Sequence, residues 1–226
     1  MRWVTYLSPS GGLERPGVVD DGCVFGYPGT EPLPALLERG PEPLAAAHRA
    51  ALDSPVEIIV EFETRLCAPV AFTAPVPARV GDAWTDLDPA LVRGTDDGIA
   101  LPPGADTLVA DVGVLALFDA GGRHTGYAPA CLWSTPEGRQ VALTTGPAVV
   151  TPEEAGGAPL RVTAGVEDTE LAAAAVDGGL AWASGAPGAV AAAVLPARTR
   201  PLEAGEELFV DGGALGEFEV RVGAGG

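Results

Sequence analysis

A single carboxylate sits inside the most apolar stretch of this sequence. Asp111 interrupts Thr107-Leu108-Val109-Ala110-Asp111-Val112-Gly113-Val114-Leu115-Ala116-Leu117-Phe118, a run whose nearly unbroken hydrophobicity predicts a strand buried on both faces. A carboxylate taken out of water needs a partner, or its pKa rises until it can act near neutrality as a general acid or base. A second group of acids, Asp82, Asp86, Asp88, Asp96 and Asp97, is close enough in sequence to gather round a divalent cation, although such runs are usually solvated loops. The two histidines are His48 and His124. His48 is expected on the surface of an alanine-rich helix, and His124 in a solvated loop after the Gly121-Gly122 turn.

Other chemistries are closed by what is missing. The 226 residues include no lysine and no asparagine, so there is no Schiff-base lysine, P-loop lysine or oxyanion asparagine. Cys23, Cys67 and Cys131 are widely spaced and odd in number, which fits neither a disulfide framework nor a zinc ribbon, and each is expected to be a small buried apolar residue. A formal charge of −18 repels phosphate backbones and anionic membrane surfaces, and the scattered arginines form no basic patch. Nucleic-acid and membrane partners are therefore not expected.

At 47% hydrophobic residues the chain has enough apolar side chains for a well-buried core without metals or disulfides. No apolar run approaches the roughly 20 residues of a membrane span, and Met1-Arg2-Trp3-Val4-Thr5-Tyr6 begins on a strand-like pattern without a signal-peptide core. The expectation is a soluble, cytoplasmic protein.

The elements that must position these residues divide into two parts. Over residues 1 to 60, Trp3–Leu7, Val18-Val19 and Val24-Phe25 alternate as strands, with Asp21-Gly22 as a turn dipeptide. Leu33, Leu36, Leu37, Leu44, Ala47 and Leu52 follow helical spacing, broken at Gly40-Pro41-Glu42-Pro43, which predicts two short helices. Over residues 61 to 226 strands dominate: an entry punctuated by Pro69, Pro75 and Pro77, the Thr107–Phe118 strand, and closing strands at Glu207–Val210 and Glu217–Val222. A helix is expected over Asp168–Trp182, where alanines supply propensity and Asp168 or Thr169 can cap. The pattern is that of a β-rich α+β protein.

Several segments, in order, resemble the fumarylacetoacetate hydrolase family. Leu202-Glu203-Ala204-Gly205-Glu206 followed by Ala214-Leu215-Gly216-Glu217-Phe218 is similar to that family's L-x-P-G-D…G-L-G-x-L ending. Met1–Tyr6 is similar to its opening strand, Arg65-Leu66-Cys67-Ala68-Pro69-Val70 to its L-L-A-P-V-P segment, and Gly98-Ile99-Ala100-Leu101-Pro102 to its P-I-x-L-P approach. Gly126-Tyr127, Thr145–Thr151 and Pro187–Val190 continue the series, so the resemblance runs from residue 1 to 222. It implies a mixed β-roll, often dimeric, with a small N-terminal hairpin and helix module.

The resemblance also implies a site, and most of that site is substituted. The E-x-E metal pair reads Asp111-Val112-Gly113, and the later metal-binding Asp falls near Leu132. One carboxylate of three remains, so neither Mg²⁺ nor Mn²⁺ is expected and no other cofactor is implied. The G-x-N-Y-x-D-H segment matches Gly81-Asp82-Ala83-Trp84-Thr85-Asp86-Leu87, with Leu87 in the His place and Ala90 in the partner Glu place. The lysine neighbourhood reads Pro136-Glu137-Gly138-Arg139-Gln140, where Arg139 offers a cation for a carboxylate or enolate. The G-T-P turn becomes Val194-Leu195-Pro196, which makes the pocket more apolar. Carried over position by position, the candidate catalytic residues are Asp111, Asp86, Tyr127, Arg139 and Glu137. The candidate substrate contacts are Trp84, Asp82, Trp133, Cys131 and Leu195.

This reading favours a metal-independent enzyme that isomerises, cyclises, dehydrates or cleaves a carbonyl-rich small molecule, β-dicarbonyl or polyketide-like. The alternative is a non-catalytic fold relative, a binding module or the structural partner of an active paralogue. A homodimer, or a heterodimer with such a paralogue, is the expected assembly.

Overall fold

The computed structural model describes residues 1–156, 159–186 and 188–224. Strands β1 (Arg2–Leu7), β2 (Glu14–Asp20) and β3 (Cys23–Gly26) form an antiparallel meander. Its second turn is Asp21-Gly22, whose φ values of 46° and 71° are what a two-residue turn between right-twisted strands requires. Two helices follow, α1 (Leu33–Glu38) and α2 (Pro41–Asp53). Gly40, at φ 102°, makes the break between them. Pro41 and Pro43 do not prolong it: they lie in the first turn of α2, where their missing N–H groups have no intrahelical partner to lose.

The remaining strands are β4 (Ile58–Val60), β5 (Val76–Val80), β6 (Ala83–Leu87), β7 (Val92–Arg93), β8 (Thr107–Phe118), β9 (His124–Ser134), β10 (Gln140–Thr145) and β11 (Val149–Val150). After a one-turn helix α3 (Pro152–Ala155) come β12 (Leu160–Val166), β13 (Thr169–Val176), β14 (Ala191–Arg198), β15 (Leu202–Glu203), β16 (Glu207–Asp211) and β17 (Glu217–Arg221). Among the described residues thirteen strands make one mixed sheet along the path β4-β3-β2-β1-β11-β9-β8-β14-β5-β6, with β10, β7 and β15 branching from it. A second sheet runs β13-β12-β16-β17.

Side-chain alternation along β8 separates two cores. Leu108, Ala110, Val112, Val114 and Ala116 face the four-stranded sheet and join Leu160, Val162, Leu208, Val210 and Val220. Leu115 and Leu117 face the other way, into a cluster with Leu36, Leu44, Leu87, Leu132, Leu143 and Leu195. Both faces are therefore covered, which is why the strand reads as almost continuously apolar.

The expected helix over 168–182 does not form. Its first half is β13, paired with β12 around Glu167 at φ 52°, and its second half holds only a single 3-10 segment, Ala181–Gly185. Burial shows why: Ala172, Ala174 and Val176 are buried while Ala173 and Ala175 are exposed, a period of two that satisfies a ladder and overrides the helix propensity of alanine. No helix among the described residues is long and apolar enough to cross a membrane.

Candidate functional site

Asp111 has a partner, and it is Arg198. The two residues face each other across β8 and β14. Arg198 donates from Nε to Oδ1 at 2.7 Å and from Nη2 to Oδ2 at 2.8 Å, a bidentate, charge-assisted pair. The carboxylate side chain is 4% exposed and the arginine 53%, so the pair presents its cationic end to solvent. The carboxylate in turn holds the Arg198 proton more tightly than usual. Nothing in the sequence marked Arg198. The available signal was indirect: all thirteen strong cations are arginines, and a buried acid has to be met by one of them, but the register of β14 is needed to say which.

That register is irregular beside the pair. Val194 opposes Val114, Ala197 opposes Val112, and the pairing shifts between them, so Leu195 and Pro196 together oppose Gly113. Pro196 is tolerated there because a bulged residue leaves the ladder. The bulge brings β14 onto Gly113: a Cβ at that position would lie 1.9 Å from the Val194 carbonyl oxygen. No side chain fits at residue 113, least of all a carboxylate.

The positions around it are filled with hydrocarbon. Leu132, directly opposite Asp111, is buried with Leu87 and Leu195 in one cluster. The residues present do not fit a divalent cation: Asp111 has both oxygens engaged by a guanidinium, and Gly113 and Leu132 offer no side-chain ligand. Among the described residues no three His, Cys, Asp or Glu side chains converge as a metal site.

The ten candidate residues are distributed over four places. Asp111 and Leu195 share the face just described. Tyr127, Cys131 and Trp133 lie on the opposite face of the sheet, pointing into the core shared with the four-stranded sheet. Tyr127 donates its hydroxyl to the Gly178 carbonyl, Trp133 donates Nε1–H to Thr144 Oγ1 at 3.1 Å, and burial pushes the Cys131 thiol well above its usual pKa. These are satisfied core groups. Glu137 and Arg139 occupy the exposed turn between β9 and β10, where Arg139 donates its backbone N–H to Thr135 Oγ1 at 3.3 Å.

The fourth place is the β5–β6 hairpin. Asp82 is exposed in its turn. Trp84 and Asp86 line a hollow of about 280 Å³ with Pro77, Thr85, Gly185 and Ala186, and Gly185 lies so close to the Trp84 indole that a Cβ there would come within 2.5 Å of it. The pairings Val194↔Arg79 and Arg79↔Trp84 put this hollow on the face turned from Asp111.

Three acids of the run satisfy backbone N–H groups rather than gather round a cation. Asp88 accepts from the Ala90 N–H at 2.8 Å, Asp97 accepts from the Gly94 N–H at 2.8 Å and pairs with Arg65, and Asp96 accepts from the Leu66 N–H. Burial raises the pKa of Asp96. The histidines are less exposed than expected. His48 packs edge-on against Trp3 at 6.1 Å. His124 begins β9 rather than lying in a loop, and stands between Phe118 and Tyr127 at 5.8 and 4.2 Å. Burial lowers the pKa of both. Cys131 is buried as expected, whereas Cys23 and Cys67 are partly exposed.

No family profile and no curated relative matches the chain. Solved structures do. The crystal structure of maleylpyruvate hydrolase from Sphingobium sp. SYK-6, in complex with manganese(II) ion and pyruvate, superposes with a TM-score of 0.79 over 100% of both chains at 19% identity. Fumarylacetoacetate hydrolase from psychrophilic Exiguobacterium antarcticum gives 0.80 over 99% of both chains at 15% identity. 5-carboxymethyl-2-hydroxymuconate delta-isomerase from Mycobacterium smegmatis gives 0.71 over 98% of this chain and 99% of its own, at 16% identity. The chain therefore has the fumarylacetoacetate hydrolase fold, a β-rich fold shared by hydrolases and isomerases. The resemblance read in its sequence segments holds at the level of the fold, in a strongly diverged chain.

Proposed function

We propose that this chain is a non-catalytic form of the fold, a binding module or structural subunit that has given up metal-dependent chemistry. The observation that carries this reading is the closure around residue 113: Asp111 is tied to Arg198, and the β14 bulge lies against Gly113. Both oxygens of the one surviving carboxylate accept from the guanidinium and its side chain is 4% exposed, which leaves little of it open to a substrate proton or a cation. Leucines 87, 132 and 195 turn the surrounding space into core. The assembly that suits this role is a homodimer or a pairing with an active paralogue.

The test is turnover of maleylpyruvate and fumarylacetoacetate by the purified chain, with and without Mn²⁺. No rate above background is expected. Turnover abolished by Asp111→Asn would overturn the reading.

One observation favours a second reading, the metal-independent enzyme. The Trp84–Asp86 hollow, at about 280 Å³, is near the lower size of small-ligand pockets, roughly 300 Å³, and sets an aromatic wall beside a carboxylate. A β-dicarbonyl substrate bound there would meet Asp86 as its acid–base group. Saturable binding of acetylacetone that Trp84→Ala removes would support it, and unchanged binding in that variant would dismiss the hollow.

A further inference from the structure

The long sheet ends on an edge that is short, apolar and flanked by acids. Among the described residues β4 pairs only with β3, and it closes one end of the sheet. Its odd residues turn their backbone toward β3: Glu61 N–H donates to Gly22 O and Gly26 N–H donates to Glu57 O, both at 2.9 Å. Alternation turns the backbone of Ile58 and Val60 outward. The Val60 carbonyl is taken by Thr64 Oγ1 at 2.8 Å, which leaves the Ile58 N–H and C=O and the Val60 N–H as a row of edge groups facing away from the sheet. The side chains beside that row are exposed hydrocarbon: Ile58 is 58% exposed, Val60 39% and Phe62 86%.

We infer that this edge is the docking site for an extended, basic segment of a partner protein, which adds to β4 as a further strand. Main-chain bonds to Ile58 and Val60 would supply the pairing, alternate apolar side chains of the segment would cover Ile58 and Val60, and Phe62, on the 3-10 segment Glu61–Glu63 that ends the strand, would meet the end of the segment. Charge chooses the occupant. Glu61 and Glu63 flank Phe62, Glu57 at the other end of the strand accepts from Tyr6 and Ser10, and beyond Phe62 a hollow of about 610 Å³ is lined by Glu61, Glu63, Asp96, Glu217 and Glu219. Its one cation, Arg65, already pairs with Asp97.

A second copy of the chain is the wrong occupant. Two β4 strands paired antiparallel about Ile59 would set Glu57 against Glu61 on both sides, and like charges directly opposite each other destabilise that pairing. The same acids that keep the edge from pairing with itself leave it receptive to lysine- and arginine-bearing strands. The inference is independent of whether the chain turns over a substrate, since β4 shares no residue with the Asp111 face or the Trp84 hollow.

The experiment uses the whole chain and a blocked heptapeptide alternating lysine and valine, with an alternating glutamate and valine peptide as control. Saturable binding of the lysine peptide is expected, weakening with added salt, together with at least tenfold slower hydrogen exchange at the Ile58 and Val60 amides. Ile58→Lys and, separately, Phe62→Ser should each weaken it at least tenfold; both positions are exposed, so both variants should fold. Absence of saturable binding, equal binding of the glutamate peptide, or protection confined to other strands overturns the inference. So does a dimer of the free chain that Ile58→Lys dissociates, since the occupant would then be a second copy.

Discussion

Arg198 holds both carboxylate oxygens of Asp111, at 2.7 and 2.8 Å, from a strand 87 residues away in sequence. The acid is buried and the arginine is half exposed, so the two ends of the pair are not equivalent. Removing the guanidinium strands a charge inside the protein, whereas removing both charges strands nothing.

Stability of paired variants should expose that asymmetry. A fully buried pair loses about 3 to 5 kcal/mol when one partner is removed; with Arg198 half exposed, about 2 kcal/mol is expected from Arg198→Val. Adding Asp111→Val to that variant should restore most of the loss. Urea midpoints at constant slope give the comparison. A loss in the double variant equal to the sum of the losses in Arg198→Val and Asp111→Val alone would mean that the pair contributes no coupling.

The bulge over Gly113 predicts intolerance of any side chain there. Gly113→Ala places a methyl 1.9 Å from the Val194 oxygen, so β14 must move, and a loss of at least about 2 kcal/mol is expected in thermal or urea unfolding. Gly121, where an added Cβ approaches only the Asp119 side chain, is a fair control and should tolerate alanine.

Divalent metal should not stabilise the chain through Asp111. A ligand at a hundredfold excess over its dissociation constant adds about 2.7 kcal/mol, which melting would readily register. Millimolar Mn²⁺ is expected to shift the melting temperature of the native chain and of Asp111→Asn alike, reflecting only its acidic surface. A shift confined to the native chain would restore a metal site.

Histidine burial sets a pH dependence. Burial depresses the folded pKa of His124 and of His48 below the ordinary histidine value of about 6.5. The unfolded chain therefore takes up protons first as pH falls, and stability is lost from about pH 6.5 downward until the folded values are passed. The stability difference between the native chain and His124→Gln should be constant above pH 7 and narrow as the solution is acidified toward pH 5.

The fold was legible because its signals are local or ordered. Asp21-Gly22, the Thr107–Phe118 run and the closing strands each announce themselves in a few residues, and the family-like segments follow one another in sequence. The site was not, because it depends on which face each residue takes. Tyr127, Cys131 and Trp133 are odd-numbered positions on β9 that share a face with one another and not with Asp111. That separation follows from the pairing of Asp111 with Leu132, a register no spacing rule supplies. Arg198 was hidden for the same reason, behind a two-residue bulge that shifts every position after it.

Alanine misled for a different reason. Residues 171–175 read as a helix because alanine has the highest helix propensity and no counter-signal interrupts it, yet the ladder with β12 makes them a strand. The two states predict opposite responses to β-branching. Ala173 and Ala175 are exposed on β13, so valine there gains β propensity with nothing to clash against, and Ala173→Val with Ala175→Val should raise stability by about 0.5 kcal/mol or more. In a helix the same exchange would lower it by a comparable amount. Thermal unfolding of the double variant decides between them, and a loss of stability would count against β13 as a strand in solution.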